Sequence, residues 1–235
     1  MRKDTVPGTD YIIYQAENGF SYSLDSLALT SFARASGICA DLGAGTGIIS
    51  LRIAGSNLVK KVVAVEIQKS YSQMLEESIR ENRLDHKIEV LNENVANLKD
   101  YFATNSFDTV LINPPYYDNY LKNLTYAKAT ARHGILDLKE FIKMAKYILK
   151  DKGRLYLVGP STRAPEIFQI FENENIHVKK FCFVKKDEKS KSRVVLIEAI
   201  KGSKRGADHL RDILIYEDEN YSKDYESIMK NEVIL

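Results

Sequence analysis

Short apolar runs rich in β-branched residues alternate along the chain with longer stretches whose apolar residues recur every three or four positions. The short runs predict strands, and the longer stretches predict amphipathic helices. Strands that alternate with helices indicate an α/β fold whose parallel sheet has helices on both faces. The predicted strands cover residues 37–42, 61–66, 87–91, 107–112, 154–158, 177–184 and 193–200, and the predicted helices cover residues 46–54, 70–82, 138–149 and 165–172.

The remaining segments complete this picture. A short charged stretch without a helical pattern joins the last two predicted strands, so they are expected to form a hairpin that adds one antiparallel strand. Near the start, residues 10–24 are predicted to be extended and residues 26–34 to be helical. Residues 201–235 are polar, with one short apolar run at 213–216 that predicts a strand. Residues 117–136 show no firm pattern, which suggests a lid or substrate loop.

The composition is typical of a soluble globular protein, because 44% of the 235 residues are hydrophobic and 28% are charged. No apolar run has the length of a membrane span, and the first residues lack the apolar core of a signal peptide. We therefore expect a cytoplasmic protein. Cys39 and Cys182 lie in apolar, strand-like runs and are predicted to be buried thiols. The four histidines are scattered, so no metal site is predicted.

The charge distribution is more informative than the total. The formal net charge is only +2, which does not by itself indicate a protein that binds nucleic acid. The cations are nevertheless clustered at residues 185–193 and again at residues 201–205. Each cluster is either a solvated loop or a patch that contacts phosphate groups, and the sequence leaves both interpretations open.

The most informative motif is Asn113-Pro114-Pro115-Tyr116, which follows directly after the predicted strand at residues 107–112. The two prolines fix the backbone and remove two N–H donors, and the residue before a proline is held extended. Asn113 would then present its side-chain amide and a nearby free carbonyl as acceptors, with the ring of Tyr116 close by. This arrangement suits a flat group that bears an NH2, although a simple proline-rich turn is the alternative.

A glycine-rich loop lies between the first predicted strand and the first predicted helix, at residues 41–47, with the sequence Asp-Leu-Gly-Ala-Gly-Thr-Gly. Glycines allow a tight turn and a close approach to a ligand at the carboxyl edge of the sheet. Glu66 ends the second strand, where an acid can accept hydrogen bonds from ribose hydroxyls. These parts suit a cofactor that contains a nucleoside, whereas the alternative is an ordinary tight turn.

The glycine spacing distinguishes two cofactors. The dinucleotide fingerprint is G-x-G-x-x-G, but this loop has G-x-G-x-G and is preceded by Asp41. An acid at that position would repel a pyrophosphate and would suit an ammonium group. S-adenosylmethionine carries a ribose, a sulfonium and an amino-acid tail, so it fits better than NAD.

These motifs resemble a known family. Residues 41–47 resemble motif I of the class I S-adenosylmethionine-dependent methyltransferases, and Glu66 is similar to their ribose-binding acid. Residues 113–116 resemble the catalytic motif of methyltransferases that act on a planar NH2 group. With further similarity at residues 19–29, 131–133, 158–163 and 201–202, the chain resembles the bacterial tRNA1(Val) adenine-37 N6-methyltransferase family.

The resemblance implies a Rossmann-like class I methyltransferase fold, in which a seven-stranded, mostly parallel sheet has its last strand antiparallel. It implies S-adenosylmethionine as the cofactor and S-adenosylhomocysteine as its product. The residue after the third strand would contact the cofactor adenine, and Asn92, Glu93 and Asn94 are the candidates, with Asn94 as our choice. The other expected cofactor-binding residues are Asp25, Asp41, Gly43, Gly45, Gly47, Glu66 and Asn113. Asp25 would help to close the site, or it would cap the helix that starts near Ser26.

The implied reaction is methylation of the exocyclic N6 amine of an adenine in tRNA, at position 37 of the anticodon stem-loop. We expect the Asn113 side-chain oxygen and the Pro114 carbonyl to accept the two N–H bonds of that amine, and Tyr116 to stack on the base. The residues expected to contact RNA phosphates, or else to brace the loop, are Lys128, Arg132 and His133.

Three alternatives to adenine methylation in tRNA remain open from the sequence. In the first alternative, the methyl acceptor is another planar amine, such as the N2 of a ribosomal RNA guanine or the amide of a protein glutamine. Glutamine methyltransferases carry a long helical N-terminal domain, whereas only 36 residues precede Gly37 here, which speaks against the glutamine. The chain could instead be a non-catalytic module that binds cofactor or RNA, or a nicotinamide oxidoreductase, which the glycine spacing disfavours. We expect a monomer in which residues 1–36 close the cofactor site, residues 37–200 form the catalytic domain and residues 201–235 pack on that domain.

Overall fold

The computed structural model describes residues 1–17, 22–114 and 134–235, with side chains from residue 138 onwards in the last range. Within these residues, nine strands form the main sheet in the order β10-β8-β9-β7-β6-β3-β4-β5, with β11 also paired to β8. The strands are β1 (Arg2–Thr5), β2 (Ile12–Gln15), β3 (Gly37–Leu42), β4 (Val59–Val65), β5 (Ile88–Leu91), β6 (Phe107–Ile112), β7 (Leu149–Pro160), β8 (His177–Lys185), β9 (Ser192–Ile200), β10 (Asp208–His209), β11 (Ile213–Leu214), β12 (Tyr216–Glu217) and β13 (Asn220–Tyr221).

Helices cover both faces of the main sheet. They are α1 (Leu24–Phe32), α2 (Ile48–Ala54), α3 (Lys69–Glu81), α4 (Gly134–Ile148), α5 (Ala164–Asn173) and α6 (Lys223–Met229), with short 3-10 helices at Val95–Asp100 and Ser161–Arg163. Because side chains alternate along a strand, β3 divides its apolar residues between two cores. Cys39 packs into the core beneath α1, α2 and α3. Ala40 and Leu42 pack into the core beneath α4 and α5.

The predicted sheet is present, and its hairpin has the expected orientation. Strand β9 lies between β7 and β8 and is antiparallel to both. Strands β3, β4, β5, β6 and β7 are mutually parallel. Strand β11 confirms the short strand predicted within residues 213–216, whereas β10 was not predicted; both extend the sheet at β8, so the described part has nine strands instead of seven.

The starts of two elements, β7 and α4, differ from the prediction by four residues or more. Strand β7 begins at Leu149 instead of residue 154, because Leu149 already pairs with Phe107 of β6, and it continues to Pro160 because Pro160 pairs with Val194 of β9. Helix α4 begins at Gly134, four residues before the predicted start, so the unassigned loop predicted for residues 117–136 ends earlier than expected.

The chain before β3 packs on one face of the sheet. Strands β1 and β2 form an antiparallel hairpin against α3, where the Ile12 N–H donates to Asn82 Oδ1 (2.8 Å) and the Tyr14 N–H donates to Ser78 Oγ (2.9 Å). Strand β1 was not predicted because Arg2–Thr5 has no apolar run. The side chain of Gln15 is fully buried and accepts a hydrogen bond from the Tyr22 N–H (2.9 Å), which fixes the approach to α1.

A buried arginine attaches the end of the chain to this face. Arg52 of α2 is fully buried and donates to the Ile228 carbonyl (2.6 Å) and to Asn231 Oδ1 (2.9 Å).

The division into the three segments 1–36, 37–200 and 201–235 stays a prediction. Cys39 and Cys182 are buried as predicted, and burial raises the pKa of each thiol to about 12. In the described ranges, no helix is long and apolar enough to cross a membrane.

Candidate active site

The register of three parallel strands brings the predicted motifs to one edge of the sheet. Leu42, the last residue of β3, pairs with Val65 of β4 on one side and with Ile112 of β6 on the other. The residues that follow these three are Gly43, Glu66 and Asn113. They therefore lie side by side at the carboxyl edge, where open α/β sheets bind their ligands.

The glycine loop is tied to the end of β4 through Glu66. The Gly45 N–H donates to Glu66 Oε2 and the Gln68 N–H donates to Glu66 Oε1, both at 2.8 Å. The carboxylate is nearly buried, with 5% of the residue exposed. Each oxygen accepts one of these backbone hydrogen bonds and keeps capacity for a further donor, such as a ribose hydroxyl.

Two glycines of the loop have different surroundings. Gly47 has φ of +93°, and a Cβ there would collide with the side chain of Leu75, so no other residue fits between the loop and α3. Gly45 has φ of +56°, but a Cβ on it would have no heavy atom of the described residues within 4 Å. The face of the loop at Gly45 is therefore open to a ligand.

Asp41 is a buried acid beneath this loop. Its Oδ2 accepts hydrogen bonds from Ser50 N–H (3.1 Å) and Ser50 Oγ (2.7 Å), while its Oδ1 has no partner among the described residues. Burial raises the pKa of Asp41 to about 7, against the opposing hydrogen bonds from Ser50, and the nearby charge of Glu66 adds to the rise. The site thus holds two close carboxyl groups, which favours a ligand that carries positive charge.

Asn113 is held by a serine that the sequence analysis did not select. Its Nδ2 donates to Ser26 Oγ at 2.7 Å, and Ser26 is buried in the first turn of α1. With the amide nitrogen engaged by Ser26, the amide oxygen keeps its capacity to accept hydrogen bonds. The two residues are 87 positions apart, so the only sequence signal was the position of Ser26 within the segment 19–29 that carries part of the resemblance.

The start of α1 corrects one interpretation of Asp25. The helix begins at Leu24, and its N-cap is Ser23, whose Oγ accepts from the Ser26 N–H. Asp25 therefore lies in the first turn and is not the cap. Its Oδ1 lies 3.9 Å from Arg193 Nε, and burial raises its pKa while the Arg193 charge opposes that rise. Its contribution to closing the cofactor site stays a prediction.

The three candidates for the cofactor adenine have different hydrogen bonds. Asn92 Nδ2 donates to the Glu66 carbonyl (2.7 Å), so it braces the residue that ends β4. Glu93 accepts from the Asn94 N–H and from Tyr101 OH. Asn94 caps the following 3-10 helix, because its Oδ1 accepts from the Ala96 N–H (2.9 Å). A contact between Asn94 and the adenine stays a prediction.

The predicted substrate-binding residues fall beyond the described ranges. Tyr116, Lys128, Arg132 and His133 all lie outside the described residues. Pro114 is described and buried, but its carbonyl role stays a prediction. Across the described ranges, no three His, Cys, Asp or Glu side chains are grouped so that they could hold a metal ion.

Comparisons with known proteins agree with this geometry. The model of the methyltransferase small domain family matches residues 24–184. The tRNA1(Val) (adenine(37)-N6)-methyltransferase of Aliivibrio fischeri is 25% identical over 183 residues, which are 77% of each chain. The enzyme of the same name from Photobacterium profundum is 21% identical over 218 residues, which are 91% of each chain.

A solved structure shows the same fold. A predicted O-methyltransferase from Agrobacterium tumefaciens superposes with a TM-score of 0.74 and 19% identity, over 90% of this chain and 98% of that chain. This likeness confirms the α/β class and the methyltransferase arrangement of strands and helices. Since the family model matches well over half of the chain, the protein belongs to the methyltransferase small domain family.

Proposed function

We propose that the protein transfers a methyl group from S-adenosylmethionine to the exocyclic N6 amine of an adenine in tRNA, at position 37 of tRNA1(Val). The observation that carries the proposal is the Asn113 amide, whose nitrogen is held by Ser26 while its oxygen is left as an acceptor next to the glycine loop. The names of the relatives from Aliivibrio fischeri and Photobacterium profundum supply the substrate.

The residues at the sheet edge fit the cofactor. Asp41 has a buried carboxylate oxygen without a partner among the described residues, and Glu66 lies next to it. Two close acids favour a cation, and S-adenosylmethionine carries both an ammonium and a sulfonium. Asp41 and the open face at Gly45 would hold the amino-acid part, and Glu66 would accept hydrogen bonds from the ribose. When bound, the cofactor supplies a methyl group on a positively charged sulfur.

Asn113 compensates for the weak nucleophilicity of the substrate amine. The lone pair of an adenine N6 is delocalised into the ring, so the nitrogen reacts poorly without help. Asn113 Oδ1 accepts one N–H of the amine, which stabilises the positive charge that develops on the nitrogen as it is alkylated. Ser26 keeps the amide in the orientation that this requires. The alkylated nitrogen is a much stronger acid than the neutral amine, so its proton can pass to water after transfer.

The proposal is tested by incubating the purified protein with methyl-labelled S-adenosylmethionine and tRNA transcripts, followed by mass spectrometry of the nucleosides. We expect N6-methyladenosine in tRNA1(Val) and none in a transcript with another base at position 37. Asn113→Ala is expected to lower kcat by about 100-fold or more, as for loss of one preorganised polar group, while cofactor binding stays nearly intact because the other expected cofactor-binding residues remain. Formation of N2-methylguanosine, or methylation of a protein glutamine instead of RNA, would overturn the proposed substrate.

A monomeric state and a cytoplasmic location remain predictions from the sequence. Gel filtration with light scattering measures the first directly.

A further inference from the structure

The connection between β8 and β9 lies at the same edge of the sheet as the candidate active site. Strand β8 ends at Lys185, and β9, which runs antiparallel, begins at Ser192. Arg193 Nε lies 3.9 Å from Asp25 Oδ1 in the first turn of α1. The next residue of that turn, Ser26, holds Asn113. The connection therefore borders the residues that we assign to catalysis.

The connection is a built turn. Asp187 Oδ1 accepts hydrogen bonds from the Lys189 N–H (3.0 Å), the Ser190 N–H (2.8 Å) and Ser190 Oγ (2.8 Å). The hydrogen bond from the Ser190 hydroxyl has the largest effect on the pKa of Asp187, and together with the two backbone hydrogen bonds it holds that pKa below its usual range. Its negative charge is therefore engaged within the turn, and the backbone that carries the neighbouring lysines is ordered by it.

Four exposed cations lie on this connection: Lys186, Lys189, Lys191 and Arg193. We call the segment that carries them, residues 186–193, the cationic turn. Lys191 directly precedes β9, and Arg193 is its second residue, so both lie at the start of this strand. Ser192 is tied down through its carbonyl, which accepts from Ser161 Oγ (2.6 Å).

The cationic turn keeps a net positive charge, although Asp187 lies close enough to Lys186 to interact with its charge and Arg193 pairs with Asp25. Among the described residues, neither Lys189 nor Lys191 forms an ion pair, whereas the neighbouring Lys185 is paired with Asp212 (2.5 Å). Lys186 Nζ lies 6.0 Å from the centre of the Tyr216 ring, which stacks in turn on Tyr221. The opposing exposed acid within the turn is Glu188.

An acidic turn follows Tyr216 and borders the cationic turn on the side away from β9. Glu217, Asp218 and Glu219 follow Tyr216 and are exposed, so the next surface along the chain carries negative charge. A polyanion bound at the cationic turn would be repelled there and directed instead toward Arg193 and Asn113. The charge pattern thus gives a track that leads to the candidate active site.

We propose that the cationic turn binds backbone phosphates of the RNA strand next to the target nucleotide. The proposal rests on the proposed function, because it assumes an RNA substrate at Asn113. Each phosphate contact made by a lysine or arginine displaces counterions, so affinity for RNA should fall with salt, and the steepness of that fall should depend on these residues. Phosphate contacts position the strand without reading its sequence, which leaves the base to the catalytic pocket.

The test uses the full chain with the double variant Lys189→Gln/Lys191→Gln. We expect the KM for tRNA to rise about tenfold near 0.1 M salt, with kcat at saturating tRNA and cofactor affinity unchanged. The slope of log affinity against log salt should decrease by about 0.7–0.9 for each phosphate that a lysine no longer neutralises. The double variant Lys189→Arg/Lys191→Arg keeps both charges and should behave like the wild type.

The matched control is Lys60→Gln/Lys204→Gln. These two lysines are exposed and lie at the amino ends of the parallel strands, opposite the active site. If the wild type methylates tRNA but the turn variant keeps its KM and salt slope, the cationic turn is not a phosphate-binding surface, and the proposed function stands. If the turn variant and the control lose affinity equally, binding depends on total charge and the proposal fails. If the wild type methylates no RNA, the proposed function itself fails.

Discussion

Asn113 Nδ2 lies 2.7 Å from Ser26 Oγ, and this hydrogen bond joins the end of β6 to the first turn of α1. An asparagine amide presents an oxygen on one side and a nitrogen on the other; here Ser26 Oγ accepts from the nitrogen, which leaves the oxygen for a substrate. Ser26 lies in the first turn of α1, and the N-cap Ser23 accepts from its backbone N–H. The first turn of α1 is therefore part of the machinery that orients Asn113, although Ser26 need not contact the substrate.

This relationship predicts that Ser26→Ala lowers kcat by about 2- to 10-fold, because one hydrogen bond that orients Asn113 contributes roughly 0.5–1.5 kcal/mol. The KM for tRNA and the cofactor affinity should change little, since the amide oxygen is used mainly in the transition state. Steady-state kinetics with purified tRNA measures both quantities.

Ser23→Ala is the control for Ser26→Ala. Loss of the N-cap of α1 should cost about 1 kcal/mol of stability and lower Tm, while kcat below the unfolding range stays near the wild-type value. Equal kcat values for wild type and Ser26→Ala would show that Ser26 does not position Asn113.

The sequence predicted the elements whose information is local. β-branched apolar runs located the seven strands, and the carboxyl edge of a parallel sheet predicted that the glycine loop, Glu66 and Asn113 would meet. The contact between Ser26 and Asn113 could not be predicted in this way, because it joins residues 87 positions apart. No local pattern distinguishes that serine from a surface serine.

Arg52 shows a second limit of sequence reasoning. A charged residue in a short helix is usually exposed, yet Arg52 is buried and bonded to Ile228 and Asn231, which follow it by more than 170 positions. Similarly, β1 contains no apolar run and β10 has only two residues, both polar, so these strands depend on their partners instead of on their own sequence.

The buried acid Asp41 predicts a stability that depends on pH. The pKa of Asp41 is about 7 in the folded protein, whereas the ordinary value for an aspartate is 3.8. The folded state therefore binds the proton more tightly than the unfolded state does. The cofactor-free protein should therefore lose stability as pH rises from about 4 to about 7, by on the order of 3–4 kcal/mol from this group.

Asp41→Asn should remove that part of the pH dependence. We expect the variant to have a higher Tm than the wild type at pH 8 and a smaller difference at pH 5, while its affinity for S-adenosylmethionine falls because a carboxylate is lost. Thermal unfolding between pH 4 and pH 8 measures the first effect, and calorimetric titration measures the second. Parallel stability curves for the two proteins would contradict the assignment.

Gly45 predicts a change that affects the ligand more than the fold. Gly45→Ala places a Cβ on the open face of the loop, where no described atom lies within 4 Å, so the fold loses only about 1–2 kcal/mol from the positive φ. The same Cβ would occupy space intended for the cofactor, and we expect affinity for S-adenosylmethionine to fall at least about tenfold, or 1.4 kcal/mol.

Gly206→Ala is the matched control for Gly45→Ala. Gly206 has φ of +109°, and a Cβ there also has no heavy atom of the described residues within 4 Å, but it lies after β9, away from the glycine loop. Because φ of +109° lies outside the left-handed α region, the control should lose at least as much stability as Gly45→Ala, but its cofactor affinity should be unchanged. If both variants bind the cofactor like the wild type, the face of the loop at Gly45 does not contact it.

Asn231 predicts how strongly the end of the chain is attached. Its Oδ1 accepts from Arg52 Nε (2.9 Å) and its Nδ2 donates to the Arg52 carbonyl (3.1 Å), while Arg52 Nη1 already lacks a partner among the described residues. Asn231→Ala leaves a second nitrogen of a buried cation unsatisfied, which should cost about 1–3 kcal/mol. It also places alanine at φ of +59°, which adds about 1–2 kcal/mol.

Asn231→Gly separates these two effects, because glycine accepts the positive φ but makes no hydrogen bond to Arg52. Denaturant unfolding should rank the free energy of unfolding as wild type, then Asn231→Gly, then Asn231→Ala. Limited proteolysis should cut near α6 sooner in both variants, since Arg52 also holds the Ile228 carbonyl of that helix. Equal stability of wild type and Asn231→Gly would mean that the hydrogen bonds to Arg52 contribute nothing, and the attachment would then rest on the apolar contacts of Ile228.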